Sequence, residues 1–225
     1  MQRRREEETT VENRPERFID LHVHTSYSDG AFAPEQVVAL ASDLGLAAVG
    51  ITDHDITDGI PAAVHTGAKL GVEVVPGVEL SVEMRDSADE EIHILGYYVD
   101  WEQAALQHQL KVFREARVDR ARRIFQRLAD VGIRLREEVI FGGTRQGAIG
   151  RLHFAKEMLA EQYVSDIKSA FDLYLSLGRP AYVPKFRVDP RDGIAMIRAA
   201  GGVAVLAHPV VSIAGDVRII RRLVN

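Results

Sequence analysis

The sequence FIDLHVHTSYSDG at residues 18–30 carries the strongest fold signal in the chain. Its first four residues form a short, mostly apolar run that is typical of a buried strand. The remainder is dense in Ser, Thr, Asp and Gly, which is typical of a loop. Pro34 then stands where a helix would begin, apolar residues follow at helical spacing, and Gly45 ends the pattern. The stretch therefore predicts a strand, a polar loop and a helix in succession.

The same succession recurs along the chain. A second apolar run at 47–51 ends at TDHD (52–55) and precedes a predicted helix over 59–70. Repetition of this unit predicts parallel strands joined by crossovers, and in such sheets functional side chains gather at the carboxyl ends of the strands. His93 lies near the start of its strand and would reach the same cleft if that strand runs the other way. Further strands are predicted at 72–78, 92–99 and 203–207.

Between the fourth and fifth predicted strands the character of the sequence changes. The stretch 102–132 is rich in Arg, Glu and Gln and carries an apolar stripe at helical spacing, which predicts one long helix. Further helices are predicted at 151–161, 166–177, 190–200 and 215–224.

These patterns predict three parts of the chain. Residues 1–17 contain five Arg and five Glu without an apolar run, and we expect a disordered tail. An α/β core is expected over 18–100 and 188–225. Residues 101–187 are expected to form a helical insertion beside that core.

The composition excludes several classes of site. The 225 residues contain no Cys, which rules out disulfides, thiolate zinc sites, iron–sulfur clusters and Cys nucleophiles. Lys and Arg number 28 against 33 Asp and Glu, and the formal charge of -5 argues against nucleic-acid binding by overall charge. No apolar run approaches the roughly 20 residues of a membrane helix, and the first residues lack the apolar segment of a signal peptide. We therefore expect a cytoplasmic protein without a membrane partner.

Histidine and acidic residues cluster at the ends of the predicted strands. A His-X-His pair on an extended chain, as at His22 and His24, presents both rings on one face. Each element alone has a plain structural alternative, because TDHD could cap a helix and Asp29-Gly30 could be a turn. Their joint occurrence favours a metal site, since imidazole and carboxylate suit Zn, Mn, Fe or Ni. The full set is His22, His24, Asp29, Asp53, His54, Asp55, Glu79, His93 and His208.

Five motifs in this order resemble the PHP family, which is named for polymerase and histidinol phosphatase domains. They are DLHVHTSYSDG, GITDHD, VPGVE, IHILGYYVD and VAVLAHP, and the resemblance covers about residues 18 to 210. It is greatest to a branch of stand-alone phosphoesterases that act on 3',5'-bisphosphates of nucleotides or on short RNA from the 5' end. The resemblance implies an α/β fold of the PHP type, a distorted TIM-like barrel of seven β/α units, of which this sequence supplies about five core strands.

The resemblance also implies a set of metal ligands. Two or three divalent ions (Mn, Zn or Fe) would share them. The implied sets are His22, His24 and Glu79 for a first ion, Glu79, His93 and His208 for a second, and Asp29 with His54 for a third.

In the nucleotide-acting branch the helical insertion covers the site and contacts phosphate. The matching stretches here are GRLH (150–153) and YVPK (182–185), which assigns substrate binding to Arg151, His153 and Lys185. The alternative for these residues is a solvated charged face. His208 or His153 would protonate the leaving oxygen. The carboxylates expected to orient the imidazoles, or else to cap helices and loops, are Asp20, Asp53 and Asp55.

The end of the sequence departs from the family pattern. Relatives continue for about a quarter of their length and add a Gly-X-Asp-X-His motif, whose Asp would complete the first ion and whose His the third. No His follows His208 here, and Asp216 is the only later acidic side chain. We expect a fragment, because an unclosed sheet edge invites pairing with other chains. A whole but degenerate protein is the alternative.

Together these features predict a metal-dependent phosphoesterase, a hydrolase of phosphoric esters in nucleotides or short RNA. Ions about 3.5–4 Å apart can share a hydroxide and clamp a phosphoryl group. The alternatives are a small-metabolite phosphatase of the histidinol phosphate type and a non-catalytic metal-binding module or inactive fragment. A basic, partly aromatic wall near Arg151, Tyr182 and Lys185 would favour the nucleotide substrate. The sequence leaves open the identity of the metal, phosphatase against exonuclease action, and the oligomeric state.

Overall fold

The structure is a computed structural model that describes residues 17–83, 91–142, 149–186 and 188–209. Two predicted features lie outside these residues. They are the tail at 1–17, apart from its last residue, and the final helix at 215–224.

A mixed five-stranded sheet, ordered as in the sequence, forms the centre of the fold. The strands are β1 (Ile19–Val23), β2 (Ala48–Ile51), β3 (Glu73–Glu83), β4 (Glu91–Tyr97) and β5 (Val203–Leu206). The first three are parallel, whereas β4 runs antiparallel to β3 and β5. The predicted five-stranded α/β sheet is confirmed, but the expectation of parallel strands is wrong at β4. Only the seven residues 84–90 separate β3 from β4, fewer than the dozen or so that a crossover between parallel strands needs.

Most helices begin and end where local sequence signals place them. Pro34 occupies the first turn of α1, the Asp189 side chain caps α7 by accepting from Arg191 N at 3.0 Å, and Gly71 ends α2 at φ +73°. The helices are α1 (Pro34–Asp43), α2 (Ile60–Leu70), α3 (Ala104–Asp130), α4 (Glu137–Gly142), α5 (Arg151–Ala160), α6 (Ile167–Ala170) and α7 (Pro190–Ala199), with a π-helical turn at Phe171–Leu175. Among the described residues, no helix combines the length and apolar character that a membrane crossing requires.

Buried apolar residues in the described part of the chain form three clusters, and α3 belongs to two of them. One cluster packs α1 and α2 on β2. A second joins β3, β4 and α7 to the first half of α3 through Leu106, Leu110 and Phe113. The third packs the second half of α3, including Ile124 and Leu128, on α5, α6 and the π-helical turn. Helix α3 therefore connects the sheet to the helical region between β4 and α7.

Candidate metal centre and adjoining cavity

Glu79 lies at the centre of a cluster of histidine side chains. Its side chain, in β3, is 1% exposed. Ring nitrogens of five histidines lie 2.9 to 3.3 Å from its two carboxylate oxygens. The partners of Oε2 are His22 Nε2 at 3.1 Å, His24 Nε2 at 2.9 Å and His54 Nδ1 at 3.3 Å, and those of Oε1 are His93 Nδ1 at 2.9 Å and His208 Nε2 at 3.1 Å.

The sheet brings these histidines together from distant parts of the sequence. His22 and His24, at the end of β1, place their Nε2 atoms 3.1 Å apart, as the alternation of side chains along a strand predicts. His54, in the turn that follows β2, forms a backbone bridge to Glu79. Because β4 is antiparallel, His93 at its start lies opposite Ser81 of β3. The carbonyl of His93 accepts from Ala207 N at 3.0 Å, which places the next residue, His208, beside it.

Asp29 joins the cluster from the loop after β1. Its Oδ1 lies 2.7 Å from His24 Nδ1, and its Oδ2 lies 3.8 Å from His54 Nε2. His24 is therefore held between two carboxylates, with Asp29 on one ring nitrogen and Glu79 on the other.

Asp53 fixes the shape of this loop. Its carboxylate, 1% exposed, accepts from Thr25 N at 2.7 Å, Thr25 Oγ1 at 2.7 Å and Ser28 Oγ at 2.6 Å. Gly30 packs against the chain so closely that a Cβ atom there would lie 2.2 Å from the carbonyl oxygen of His24. The loop that carries Asp29 is therefore tied to the end of β2 and to the end of β1.

Two roles were open for Asp20, Asp53 and Asp55, and their contacts fit the second, in which they hold loops and turns rather than imidazole rings. Asp20 accepts from the backbone N of His22 at 3.2 Å rather than from its ring. Asp53 accepts from the loop groups named above, and Asp55 accepts from the backbone N of Ser81 and from a guanidinium. These carboxylates hold backbone segments in place. Sequence spacing alone does not distinguish that role from hydrogen bonding to an imidazole ring.

The close packing shifts the pKa values of the cluster in opposite directions. Burial disfavours the charged form of His24, but hydrogen bonds to Asp29 and Glu79 outweigh it and raise the pKa of His24 to about 9. Burial lowers the pKa of His54 to about 4. The hydrogen bond with His24 holds the pKa of Asp29 well below its usual range. Burial would raise the pKa of Glu79, yet hydrogen bonds from His24 and His93 keep it far below its usual range.

The donor atoms of the cluster fit divalent metal ions. Within each of three groups the ligand atoms lie within 4.8 Å of one another. His54 Nδ1 is buried and lies 3.3 Å from Glu79 Oε2, but it forms no hydrogen bond within the described part of the chain. A cation would satisfy several such converging ligand atoms at once. Imidazole nitrogen with carboxylate oxygen suits Zn, Mn or Fe. The groups are His22, His24 and Glu79; His24, Asp29 and His54; and His54, Glu79 and His93.

These groups compare directly with the sets that the family resemblance implies. The first group, His22, His24 and Glu79, is the set implied for the first ion. Asp29 and His54, implied for the third ion, lie together in the second group. In the third group His54 accompanies Glu79 and His93. His208 contacts both Glu79 and His93, at 3.1 and 3.2 Å, but belongs to none of the groups found among the described residues.

A cavity of about 320 Å³ adjoins the cluster, with Asp29 and His54 in its wall. The predicted substrate-binding residues Arg151, His153 and Lys185 also line it. His208 is not among the lining residues that the structure describes. The sheet and the helical region together enclose this space.

Arg151 and His153, on the first turn of α5, are both held by neighbouring groups. Arg151 Nη1 donates to Leu175 O at 3.4 Å, and its guanidinium lies 5.7 Å from the ring centre of Phe171 and 6.0 Å from that of Tyr182. His153 Nδ1 accepts from the backbone N of Gly150 at 3.1 Å. Burial lowers the pKa of His153, so its ring is neutral near pH 7.

The structure adds lining residues that the sequence analysis missed. Arg117 and Arg120 reach the cavity from α3, and Phe113 and Phe186 form a ring pair with centres 6.0 Å apart. Arginines recur every third residue from Arg114 to Arg120, which places them along one side of the helix. That spacing was the available signal for a basic wall.

Comparisons with known proteins place the chain among relatives of one family. A family model described as PHP domain matches residues 20–179. A 3',5'-nucleoside bisphosphate phosphatase from Chromobacterium violaceum is 36% identical over 196 residues, which cover 85% of this chain and 66% of that protein. The 5'-3' exoribonuclease Rnm from Salmonella typhimurium is 35% identical over 194 residues, covering 85% and 65%. The chain spans about two thirds of the length of these curated relatives.

Two crystal structures resemble the chain over most of its length. An amidohydrolase from Chromobacterium violaceum, with bound sulfate and no metal, superposes with a TM-score of 0.79 at 34% identity, covering 92% of this chain and 72% of that one. A structure from Bifidobacterium adolescentis, described as a metal-dependent phosphoesterase, superposes with a TM-score of 0.75 at 29% identity, covering 94% and 72%.

Proposed function

The chain belongs to the PHP domain family, and on that basis we propose that it hydrolyses phosphate esters with the help of divalent metal ions. The observation that carries the proposal is the convergence of five histidine rings on the buried carboxylate of Glu79, beside a cavity walled by cationic side chains. Similarity to a 3',5'-nucleoside bisphosphate phosphatase and to a 5'-3' exoribonuclease supports this reaction class.

Two or three divalent ions, Mn, Zn or Fe, would occupy the cluster. When bound, such ions lower the pKa of a water molecule, so that hydroxide is available to attack phosphorus near neutral pH, and they withdraw charge from the phosphoryl oxygens. Glu79 supplies buried negative charge to two of the donor groups, and His24 and His54 are each shared between two groups. The proposed ligands are His22, His24, Asp29, His54, Glu79, His93 and His208.

Arg151, His153 and Lys185 would hold the phosphate oxygens of the substrate. Arg151 offers a planar fork of donors that contacts with Phe171 and Tyr182 keep in place, and Lys185 offers a compact positive charge. His153 accepts from Gly150 N through Nδ1, so its neutral ring carries a proton on Nε2 that can be donated to an oxygen in a hydrogen bond. Of the two candidates for protonating the leaving oxygen, His208 and His153, we propose His208, because the ring of His153 is neutral near pH 7 and a neutral imidazole is too weak an acid for this step.

A nucleotide or short oligonucleotide fits the wall of the cavity better than a small metabolite does. The wall combines four cationic side chains with an aromatic pair, in which Phe186 is 51% exposed and Phe113 lies behind it. Exposed aromatic rings beside cationic groups are typical of sites where a base stacks and its phosphate is neutralised. The cationic residues are Arg117, Arg120, Arg151 and Lys185.

We also propose the larger architecture that the family implies. The five strands would form part of a distorted (β/α)7 TIM-like barrel, with 18–100 and 188–225 as its core. The helical region at 101–187 would cover the site, which is supported by the cavity residues that α3 and α5 supply. We propose a cytoplasmic location for the activity.

The test is a substrate comparison on the purified chain. The protein is stripped with a chelator, reloaded with Mn²⁺ and assayed for phosphate release from adenosine 3',5'-bisphosphate and from histidinol phosphate. We expect ion-dependent release from the bisphosphate, weakened by Arg151→Met. Activity on histidinol phosphate alone, or no release from either ester by the reloaded protein, would refute the proposed function.

A further inference from the structure

Asp55, next to His54, carries a buried carboxylate that has no role in the proposed reaction. Its side chain is 2% exposed, and its backbone lies in the left-handed region at φ +54°. Residues other than Gly adopt that region at a cost, so surrounding contacts must hold it. One of them is the hydrogen bond from Asp55 N to Glu79 O at 3.0 Å.

The side chain of Asp55 connects three elements. Its Oδ1 accepts from the backbone N of Ser81 in β3 at 3.0 Å. Its Oδ2 accepts from Nη2 of Arg117, which comes from α3 and is 62 residues away in sequence. The same Nη2 donates to Ser81 Oγ at 3.3 Å. The turn after β2, strand β3 and helix α3 therefore meet at one ion pair, in which Asp55 is buried and Arg117 is partly exposed.

This pair holds His54 from one side, while Asp53 holds it from the other. Asp53 ties the turn to the loop that carries Asp29, as described above. His54 belongs to two of the three donor groups. A small shift of the turn would thus move a ligand of two groups, while the group of His22, His24 and Glu79 contains no residue of the turn.

We propose that Arg117 and Asp55 are positioning residues through which α3 sets the affinity of the His54-containing groups for divalent ions. The inference rests on the proposed function in one respect, that the cluster binds ions. Removing Arg117 would leave the carboxylate of Asp55 buried and without its cationic partner, and the turn would rearrange to relieve it. Groups that hold metal ligands in place without binding the ion commonly contribute about 10- to 100-fold to the affinity for the metal ion.

The test measures ion binding without substrate. Chelator-stripped wild type, Arg117→Met, Asp55→Asn and Arg117→Lys are titrated with Mn²⁺ by calorimetry, and circular dichroism reports folding. Arg122→Met is the matched control, because Arg122 is an exposed arginine on the same helix. We expect Arg117→Met and Asp55→Asn to weaken one class of sites by about 10- to 100-fold and to leave the other unchanged. Arg117→Lys should recover part of the loss, since lysine restores the charge.

Isotherms of Arg117→Met that superimpose on the wild type would overturn the inference. If Arg117→Met does not fold, Asp55→Asn decides, and unchanged affinity in that folded variant would also overturn it. Loss of affinity in a protein that hydrolyses no phosphate ester would support the inference while the proposed function fails. A wild-type protein that binds no Mn²⁺ would overturn both.

Discussion

Replacing Glu79 by Gln removes the buried charge that five imidazoles share while keeping the size of the side chain. Because the side chain is 1% exposed, water cannot replace the lost negative charge. Removing one partner of a buried charged pair costs about 3–5 kcal/mol, and about 1.4 kcal/mol corresponds to a tenfold change in affinity. We therefore expect Glu79→Gln to weaken binding of Mn²⁺ by roughly two to three and a half orders of magnitude.

Calorimetric titration of the chelator-stripped protein with Mn²⁺ measures this loss. Glu73→Gln is the matched control, since Glu73 lies in the same strand but is exposed and accepts a hydrogen bond from the hydroxyl of Tyr98 at 3.1 Å. The control should bind Mn²⁺ as the wild type does. If Glu79→Gln also binds with wild-type affinity, the reasoning that places Glu79 at the centre of an ion site is refuted.

Three further predictions concern the cluster, the cavity and the loop. The pKa of His24 is raised to about 9, so its ring is charged near pH 7 and ion binding there should release a proton. The release should disappear as the pH rises above 9. Calorimetry in buffers of different ionisation heat measures the number of protons released. Phe186→Ala should raise KM for adenosine 3',5'-bisphosphate by about 5- to 150-fold, the loss expected from 1–3 kcal/mol of stacking, and change KM for ribose 5-phosphate little; equal changes would contradict stacking. Gly30→Ala should lower the unfolding free energy by about 1–3 kcal/mol because of the overlap with His24 O, whereas Gly150→Ala, with open space around it, should not; denaturant unfolding compares the two.

The sequence predicted the members of the cluster because their positions follow from local patterns. His22 and His24 lie at the end of β1, and His54 lies in the turn after β2, so parallel pairing alone brings them to one edge of the sheet. The approach of Glu79 to His54 follows from the same pairing of β2 with β3.

The features that the sequence analysis missed depend on long-range contacts or on very short elements. The ion pair of Arg117 with Asp55 joins residues 62 positions apart, and no local pattern encodes it. Helix α4 has six residues, too few for helical periodicity to identify it, and the helix predicted at 166–177 forms as α6 followed by a π-helical turn of five residues. The predicted strands at 72–78 and 92–99 leave residues 79–91 between them, enough for a crossover, so the antiparallel direction of β4 became clear only once β3 was seen to run to Glu83.

The most direct test of the account is to locate ions by anomalous X-ray scattering from crystals of the chain grown or soaked with Mn²⁺. We expect anomalous peaks among the rings of His22, His24, His54 and His93, each peak within bonding distance of the carboxylate of Glu79 or Asp29. Well-occupied Mn²⁺ elsewhere in the crystal, with no peak between these side chains, would contradict it.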